Sequence, residues 1–229
     1  MADQIGSPQR RTFLDDRRWS SQARYDSVFA PTYDSEGWAR ISPAHERFLS
    51  RFLDLVRRGG LILDMPCGTG KYFASVLASG RSVVGFDQSV GMLAAARAKH
   101  PDIATARLSL QDLSFDGAFD GVMCMDSLEN VGPEDWPPVL ARRRDAGRPE
   151  APLYLTSELA LEDELAWDYR AARAAGYPVI PRESFYPEQG GYHYYPERET
   201  VLGWLAESGL EVVEEGERDE YWHLLLQRA

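Results

Sequence analysis

Short apolar runs and helix-like stretches alternate along the centre of the chain. The apolar runs predict five strands, at residues 61–64, 82–87, 104–110, 119–125 and 152–156. The stretches between them predict helices at residues 71–77, 90–98 and 133–144. Strands that alternate with helices form parallel βαβ units, whose right-handed crossovers build a doubly wound sheet. The pattern therefore predicts an α/β fold of the Rossmann-like type.

The amino-terminal part of the chain precedes the alternating strands and helices. Residues 1–18 are polar and predict an arm without a regular element. A helix is predicted to begin at Ser42 and Pro43, because serine is favoured as an N-cap and proline at the first helical position. We therefore expect an amino-terminal segment at residues 1–41 and the main domain at residues 42–229.

The alternation of predicted strands and helices ends after the fifth apolar run. Residues 158–175 have a helical composition, but residues 176–196 are rich in proline, glycine and tyrosine and predict a loop-like insertion. The whole insertion is placed at about residues 159–196. A final helix is expected at 197–208. Two closing strands are expected at 210–213 and 221–227, with Gly216 and Asp219 in the turn between them.

Composition narrows the class of protein. The chain has 229 residues, of which 44% are hydrophobic, enough for one domain with a sizeable core. The net charge of −11 disfavours a nucleic-acid partner, because an acidic surface repels phosphates. No apolar stretch is long enough for a signal peptide or a membrane span, so a cytoplasmic protein is expected. The two cysteines and four histidines have no metal-ligand spacing, and no metal is expected.

The first strand and the turn after it carry the clearest chemical signal. Gly68 and Gly70 lack a Cβ, so the backbone can approach a ligand closely. Asp64 ends the first strand, where it can hold a cationic or hydroxylated group. Asp87 ends the second strand, about twenty residues further on, where an acidic residue suits the two hydroxyls of a ribose. Ligands of open parallel sheets bind at this edge.

These segments resemble the motifs of class I S-adenosylmethionine-dependent methyltransferases. The sequence LILDMPCGTG at 61–70 resembles the first motif and VVGFDQSVGML at 83–93 the second. FDGVMCMD at 119–126 resembles the fourth strand, and SLENV at 127–131 the segment after it. The likeness implies a mostly parallel seven-stranded sheet with an antiparallel carboxy-terminal strand, and S-adenosylmethionine (SAM) as the cofactor. Pro66 departs from the family, which often carries glycine at this position.

The resemblance also implies which residues contact SAM. Asp64 would act on the methionine amino group, Asp87 on the ribose hydroxyls, and Asp112 on the adenine amine. Asp126 would lie near the sulfonium, although it could instead only cap the next helix. The implied cofactor residues are Tyr25, Asp64, Pro66, Cys67, Gly68, Thr69, Gly70, Asp87, Gln88, Met92, Gln111, Asp112, Leu113, Met125 and Asp126.

Two segments are candidates for the acceptor pocket. One is the amino-terminal segment, which in many members of this family closes over the cofactor as a lid. The other is the insertion, whose tyrosines offer apolar walls with polar tips. The candidate acceptor residues are Tyr33, Ser127, Tyr186, Tyr192, Tyr194 and Tyr195. His193 and Glu158 are the candidate catalytic bases. The alternative is that these aromatic residues only pack the insertion onto the sheet.

The sequence thus predicts methyl transfer from SAM to nitrogen or oxygen of a small metabolite or natural product. An alternative is a protein that binds SAM without transferring its methyl group. A nicotinamide-dependent oxidoreductase is a further alternative, but its G-x-G-x-x-G fingerprint lacks the third glycine here. The sequence does not reveal an oligomeric state.

Overall fold

The computed structural model describes residues 5–186 and 191–229, with only the backbone of Tyr186. Seven strands form one sheet, in the spatial order β3-β2-β1-β4-β5-β9-β8. Their bounds are β1 Leu61–Asp64, β2 Ser82–Asp87, β3 Thr105–Arg107, β4 Gly121–Cys124, β5 Leu153–Glu158, β8 Leu210–Arg218 and β9 Tyr221–Arg228. Two further strands, β6 Glu183–Tyr186 and β7 Gly191–Tyr194, form a separate hairpin.

The strand directions confirm the predicted fold class. Strand β1 lies between β2 and β4 and is parallel to both, with Ile62 opposite Val83 on one side and Gly121 on the other. Strand β9 is antiparallel to its neighbours β5 and β8. The sheet is therefore parallel except for one carboxy-terminal strand.

Helices cover both faces of this sheet. They are α1 Pro8–Arg24, α2 Pro43–Leu55, α3 Phe73–Ala78, α4 Val90–Lys99, α5 Trp136–Ala146, α6 Glu162–Ala174 and α7 Arg198–Glu207. Residues of α2, α3 and α4 share one apolar layer with β1, including Phe52 and Ile62. Residues of α5 and α7 share the opposite layer with β4 and β9, including Leu140 and Leu224. A doubly wound arrangement buries both faces of a parallel sheet in this way.

Helix α2 begins where its sequence predicts. The Ser42 side chain accepts a hydrogen bond from the backbone N–H of His45, and Pro43 occupies the first turn. Phe48 and Phe52 lie one turn apart on the same face, and both are buried against the sheet. The cap and the apolar spacing are local signals, which explains the agreement.

The amino-terminal segment differs from the predicted polar arm, because residues 8–24 form helix α1. Arg10, a charged residue of this helix, is fully buried. The Arg10 guanidinium pairs with Glu134, at 2.8 Å from Nε to Oε1, and with Glu183. Both partners lie more than 120 residues along the chain, so no local pattern shows that this arginine belongs inside.

The insertion also differs from its prediction as a loop. Strands β6 and β7 pair in register, with Phe185 opposite Tyr192. Both rings stand edge-on to Phe13 of α1, at centroid distances of 5.4 and 6.2 Å. At the end of the chain, Gly216 lies inside β8 rather than in the turn. Proline and glycine marked these segments as loops, but cross-strand pairing and aromatic packing order them.

Candidate active site

A pocket opens at the carboxyl ends of β1, β2 and β4, the edge where ligands of open parallel sheets bind. Most of the predicted cofactor residues and two predicted acceptor residues surround it. The predicted residues that line it are Tyr25, Tyr33, Pro66, Cys67, Gly68, Thr69, Asp87, Gln88, Met92, Met125, Asp126 and Ser127.

The turn after β1 forms the floor of the pocket. Gly68 has a φ of 52° and Gly70 a φ of 78°, values that favour glycine. The Met65–Pro66 peptide bond is cis. The Cys67 N–H donates to the carbonyl oxygen of Phe86 at 2.9 Å, which ties the turn to β2. The glycines therefore allow a turn that runs close beneath the pocket.

Asp87 presents a carboxylate whose orientation is fixed by the main chain. Its Oδ2 accepts from the Gly68 N–H at 2.9 Å, and its Oδ1 accepts from the Ser89 N–H at 2.8 Å. Burial raises the pKa of Asp87 to about 6, against the opposing effect of these hydrogen bonds. Each oxygen still has acceptor capacity toward the pocket.

Asp64 lies at the end of β1 but is not among the lining residues. It is fully buried, and neither carboxylate oxygen has a hydrogen-bond partner within the described parts of the chain. Burial, with the nearby charges of Asp87 and Asp126, raises its pKa well above the ordinary value. A buried carboxyl group without partners is costly unless a ligand or a proton compensates it.

Asp126 follows β4 and joins several side chains from distant parts of the chain. Its Oδ1 lies 2.7 Å from His45 Nε2, and its Oδ2 accepts from Lys71 Nζ at 3.0 Å and from the Tyr72 hydroxyl at 2.9 Å. Its N–H donates to Thr156 Oγ1 at 2.7 Å. Against the effect of burial, the His45 and Lys71 contacts hold its pKa well below the ordinary value. This carboxylate therefore stays ionised and is already paired with Lys71.

The amino-terminal segment lies over one side of the pocket through Tyr25 and Tyr33. Asp26, in the π-helix Tyr25–Phe29, accepts from Ser89 Oγ at 2.6 Å and from the Gly91 N–H at 2.9 Å. A Cβ on Gly91 would lie 2.9 Å from the Asp26 carbonyl oxygen, so only glycine permits this approach. These contacts join the segment to the start of α4.

A second contact joins this segment to the turn after β1. Asp34 accepts from Thr69 Oγ1 at 2.7 Å and pairs with Lys99 at 2.7 Å. The predicted lid role of residues 1–41 stays a prediction, as does the division at residue 42.

The residues predicted at the adenine edge are placed differently from expectation. Asp112 pairs with Arg18 of α1 at 2.7 Å, and Gln111 contacts Asp135 at 3.3 Å. Leu113 is fully buried in the core. None of the three predicted residues lines the pocket, whereas Leu110, at the start of the 3₁₀ helix Leu110–Asp112, does.

The insertion residues whose side chains are described are not among those that line the pocket. Tyr192 and Tyr194 are buried, and the Tyr192 hydroxyl donates to Glu183 at 2.5 Å. The ring of His193 contacts the Tyr195 hydroxyl at 2.8 Å, and burial lowers its pKa to about 4. The side chain of Tyr186 lies outside the described residues. The role of His193 as a base stays a prediction.

Glu158, the other candidate base, ends β5 and is not among the lining residues. Burial, with the charges of Glu220 and Asp126, raises its pKa to about 7. Such a carboxyl group can take up and release a proton near neutral pH.

The pocket also contains residues that the sequence analysis missed. Lys71 and Tyr72 follow Gly70 directly, and the position of Lys71 after the glycine turn was a usable signal. Leu108 and Leu110 form an apolar wall, but nothing in the sequence separates them from core residues. The missed lining residues are Lys71, Tyr72, Leu108, Leu110 and Asn130.

Within residues 5–186 and 191–229, no group of three or more histidine, cysteine, aspartate or glutamate side chains could hold a metal ion. Both cysteines, Cys67 and Cys124, are free and buried. No helix in these ranges is long and apolar enough to cross a membrane.

Comparison with known proteins agrees with this geometry. Residues 62–150, which include β1 to α5 and the whole turn after β1, match a family model described as a methyltransferase domain. With the sheet order and the motifs above, this match confirms the predicted resemblance to the class I S-adenosylmethionine-dependent methyltransferases. The predicted family and its cofactor, SAM, are confirmed.

Among curated proteins, the chain is similar to a dTDP-3-amino-3,6-dideoxy-alpha-D-glucopyranose N,N-dimethyltransferase of Streptomyces fradiae. The two are 33% identical over 110 residues, which cover 46% of this chain and 43% of the relative. A demethylmenaquinone methyltransferase of Beutenbergia cavernae is 38% identical over 78 residues, 34% of this chain and 32% of the relative. The chain thus spans less than half the length of these relatives.

Solved structures share the fold. A SAM-dependent methyltransferase from Methanosarcina mazei matches with a TM-score of 0.64 and 19% identity, over 76% of this chain and 95% of that chain. A magnesium protoporphyrin IX methyltransferase from Synechocystis, crystallised with bound S-adenosylhomocysteine (SAH), matches with a TM-score of 0.62 and 16% identity. That match covers 92% of this chain and 97% of the other. At these identities the similarity establishes the fold.

Proposed function

We propose that this protein transfers the methyl group of SAM to a nitrogen or oxygen atom of a small acceptor molecule. The observation that carries the proposal is the pocket at the ends of β1, β2 and β4, which brings the glycine turn together with Asp87 in a chain that matches a methyltransferase domain. The curated relatives above are named for small-molecule acceptors, which supports the same class of acceptor here.

The residues at the end of β2 fit a ribose. Both oxygens of Asp87 are oriented by the backbone N–H groups of Gly68 and Ser89. One acceptor site of each oxygen remains for a hydroxyl donor, and a ribose presents two adjacent hydroxyls. Hydrogen bonds to a carboxylate are about twice as strong as neutral ones, so this contact would dominate binding of the nucleoside.

The surroundings of Asp64 fit a cationic group. Its two unpartnered oxygens lie behind the turn after β1 and carry no compensating donor in the described structure. The methionine part of SAM brings an ammonium group. An ammonium near Asp64 would favour the ionised carboxylate and lower its raised pKa.

Apolar side chains offer a place for a flat base. Met92, Leu108 and Leu110 line the pocket together with Asp87 and Gln88, and the Leu108 N–H donates to the Asp87 carbonyl oxygen at 3.0 Å. We propose that these residues, rather than Asp112, form most of the adenine contact. Asp112 would then act by fixing Arg18 of the amino-terminal segment.

When bound, SAM supplies a methyl group on a sulfonium sulfur, which is already an excellent leaving group. The protein then has to align the acceptor with the methyl group and exclude water. Tyr25 and Tyr33 enclose one side of the pocket, and Met125 and Ser127 form another. Burial raises the pKa of Tyr33, so its hydroxyl stays neutral at physiological pH.

Isothermal titration calorimetry with SAM, SAH and NADH tests the proposal. We expect micromolar binding of both adenosyl compounds and none of NADH. Binding of NADH without SAH would overturn the cofactor assignment in favour of a nicotinamide enzyme. If SAM binds but no methyl group reaches any member of an acceptor panel, the chain is instead a SAM-binding protein without transfer.

A further inference from the structure

Glu129 is a buried glutamate with one carboxylate oxygen that has no hydrogen-bond partner in the described structure. It lies in the 3₁₀ helix Leu128–Asn130, directly after β4, and only 5% of its surface is exposed. Its Oε1 accepts from Asn130 Nδ2 at 2.8 Å, but its Oε2 has no hydrogen-bond partner in the described parts of the chain. Asn130 lines the pocket, so Glu129 lies immediately behind the lining.

The charges around Glu129 do not offset its own. Burial, followed by the charge of Glu158, raises the pKa of Glu129 well above its ordinary value, and Asp126 adds to the effect. Glu158 is in turn raised by burial, Glu220 and Asp126. The nearby cation, Lys71, is already paired with Asp126. Glu129 and Glu158, here called the carboxylate pair, therefore keep their charges only when a cationic group compensates them, and otherwise favour a bound proton.

Aromatic side chains surround the carboxylate pair. Glu158 stands directly opposite Tyr221 where β5 pairs with β9. Tyr25 and Tyr33, which line the pocket, approach from the amino-terminal segment. After burial, Glu129 is the largest influence that raises the pKa of both Tyr25 and Tyr221, and it also acts on Tyr33. Tyr25 is also linked to Glu129 by contacts, because its hydroxyl lies 3.4 Å from Oδ1 of Asn130, whose Nδ2 donates to Glu129.

Carboxylates that lack a cationic partner and lie near aromatic rings are suited to bind a cationic ligand. An ammonium group satisfies a carboxylate by a charge-assisted hydrogen bond and is attracted to aromatic rings. A neutral hydroxyl could donate one hydrogen bond but would leave the negative charge uncompensated. We propose that the methyl acceptor of this site is an amine, bound as its ammonium by Glu129 Oε2 with Glu158 beside it. This inference rests on the methyl-transfer function proposed above.

The carboxylate pair also gives the amine a route to its reactive form. An ammonium nitrogen has no lone pair, so one N–H proton must first pass to the carboxylate pair. The freed lone pair then forms the N–C bond to the methyl carbon. The C–S bond breaks as its electrons return to sulfur, which yields a thioether and a methylated ammonium. Glu129 and Glu158 have the raised proton affinity that this transfer needs.

A purely structural role for Glu129 makes the opposite stability prediction. A carboxylate retained only for folding would destabilise the protein when replaced. Glu129→Gln keeps the shape and the oxygen that faces Asn130 but removes the buried charge, so we expect an unchanged or higher melting temperature. Glu158→Gln is the second test variant, and Glu150→Gln, at an exposed glutamate, is the matched control.

The experiment uses the full chain and matched acceptor pairs that differ only by amine or hydroxyl. The probes are benzylamine with benzyl alcohol, tyramine with tyrosol, and glucosamine with glucose. Methyl transfer from deuterated SAM is followed by mass spectrometry, and SAH affinity is measured by calorimetry. We expect methylation of the amine member only. In Glu129→Gln, kcat/KM for the amine should fall at least about tenfold while SAH affinity stays within about twofold.

The outcomes separate this inference from the function on which it rests. Failure of SAH to bind would overturn the methyl-transfer function, and the amine assignment with it. With SAH bound, methylation of an alcohol, no methylation of any amine, or an unchanged amine rate in Glu129→Gln would each overturn the amine assignment alone. A melting temperature well below that of Glu150→Gln would assign Glu129 to folding instead.

Discussion

The two sides of the pocket are built in different ways. On the cofactor side, formed by the turn after β1 and the end of β2, Asp87 is held by backbone N–H groups at Gly68 and Ser89. On the proposed acceptor side, at the end of β4, Asp126 is held by side chains from other elements, including His45 and Lys71. The cofactor side therefore depends on local backbone geometry and the acceptor side on tertiary contacts.

This difference suggests how each side tolerates change. A main-chain cradle persists when single side chains are replaced, so substitutions there should affect ligand affinity more than folding. A network of buried side chains loses several partners at once when one member is removed. Four predictions test this contrast, from the largest expected effect to the smallest.

Asp126→Ala should have the largest effect, on folding. It leaves Lys71 and His45 without their shared buried partner, and breaking a buried ion pair costs about 3–5 kcal/mol of unfolding free energy. Urea unfolding followed by circular dichroism measures the loss. Asp116→Ala, at an exposed aspartate, is the control. A loss below about 1 kcal/mol would show that the network is not cooperative.

Asp87→Ala should weaken SAH binding by about 2 kcal/mol or more, because the ribose would lose hydrogen bonds to a carboxylate. Calorimetry of the variant measures the change, with its melting temperature as a check on folding. Asp112→Ala is the comparison variant, because Asp112 pairs with Arg18 and does not line the pocket. Its effect on affinity should be small. Equal losses in the two variants would restore Asp112 as a direct adenine contact.

The third prediction concerns pH and Glu158. The pKa of Glu158 is about 7 in the folded protein, against a usual value of 4.5. Between pH 4.5 and 7, Glu158 is therefore protonated in the folded state but ionised in the unfolded state. Because the folded state binds more protons in this window, the free energy of unfolding falls as the pH rises from 4.5 to 7. After allowance for partial exposure, Glu158→Gln should be more stable than the native protein by on the order of 1–2 kcal/mol at pH 8.

The same comparison at pH 4 should show no difference, since the carboxyl group is then protonated in both states. Thermal melts of the native protein, Glu158→Gln and the exposed control Glu150→Gln at the two pH values supply the measurement. A stability gain that does not depend on pH would contradict the raised pKa.

Asp26→Asn should have the smallest effect. It weakens the hydrogen bonds that join the amino-terminal segment to Ser89 and Gly91, at a cost of about 1 kcal/mol. Hydrogen exchange should accelerate over residues 8–40 while the sheet is unaffected, with the exposed Asp16→Asn as the control. Uniform acceleration across the chain would mean that this segment folds together with the sheet.

The agreement between sequence and structure follows the same division. Strands β1 and β2 begin and end where the apolar runs predicted, and Ser42 and Pro43 start α2 as expected. These features depend on neighbours within a few residues. The helix at residues 8–24 was missed, because Arg10 is buried by Glu134 and Glu183 from distant segments.

By itself, the sequence determined the fold class, the resemblance to the methyltransferase family, and the glycine turn and Asp87 at the edge of the pocket. Strand periodicity, capping residues and a glycine turn depend on residues close in sequence. The same local pattern therefore favours the same local structure. Only the tertiary structure showed that Asp126 is paired with Lys71, that Asp112 faces Arg18, and that Oε2 of Glu129 has no hydrogen-bond partner among the described residues. Burial and charge compensation depend on contacts between side chains that are distant in sequence. A pattern of neighbouring residues along the chain does not specify those contacts.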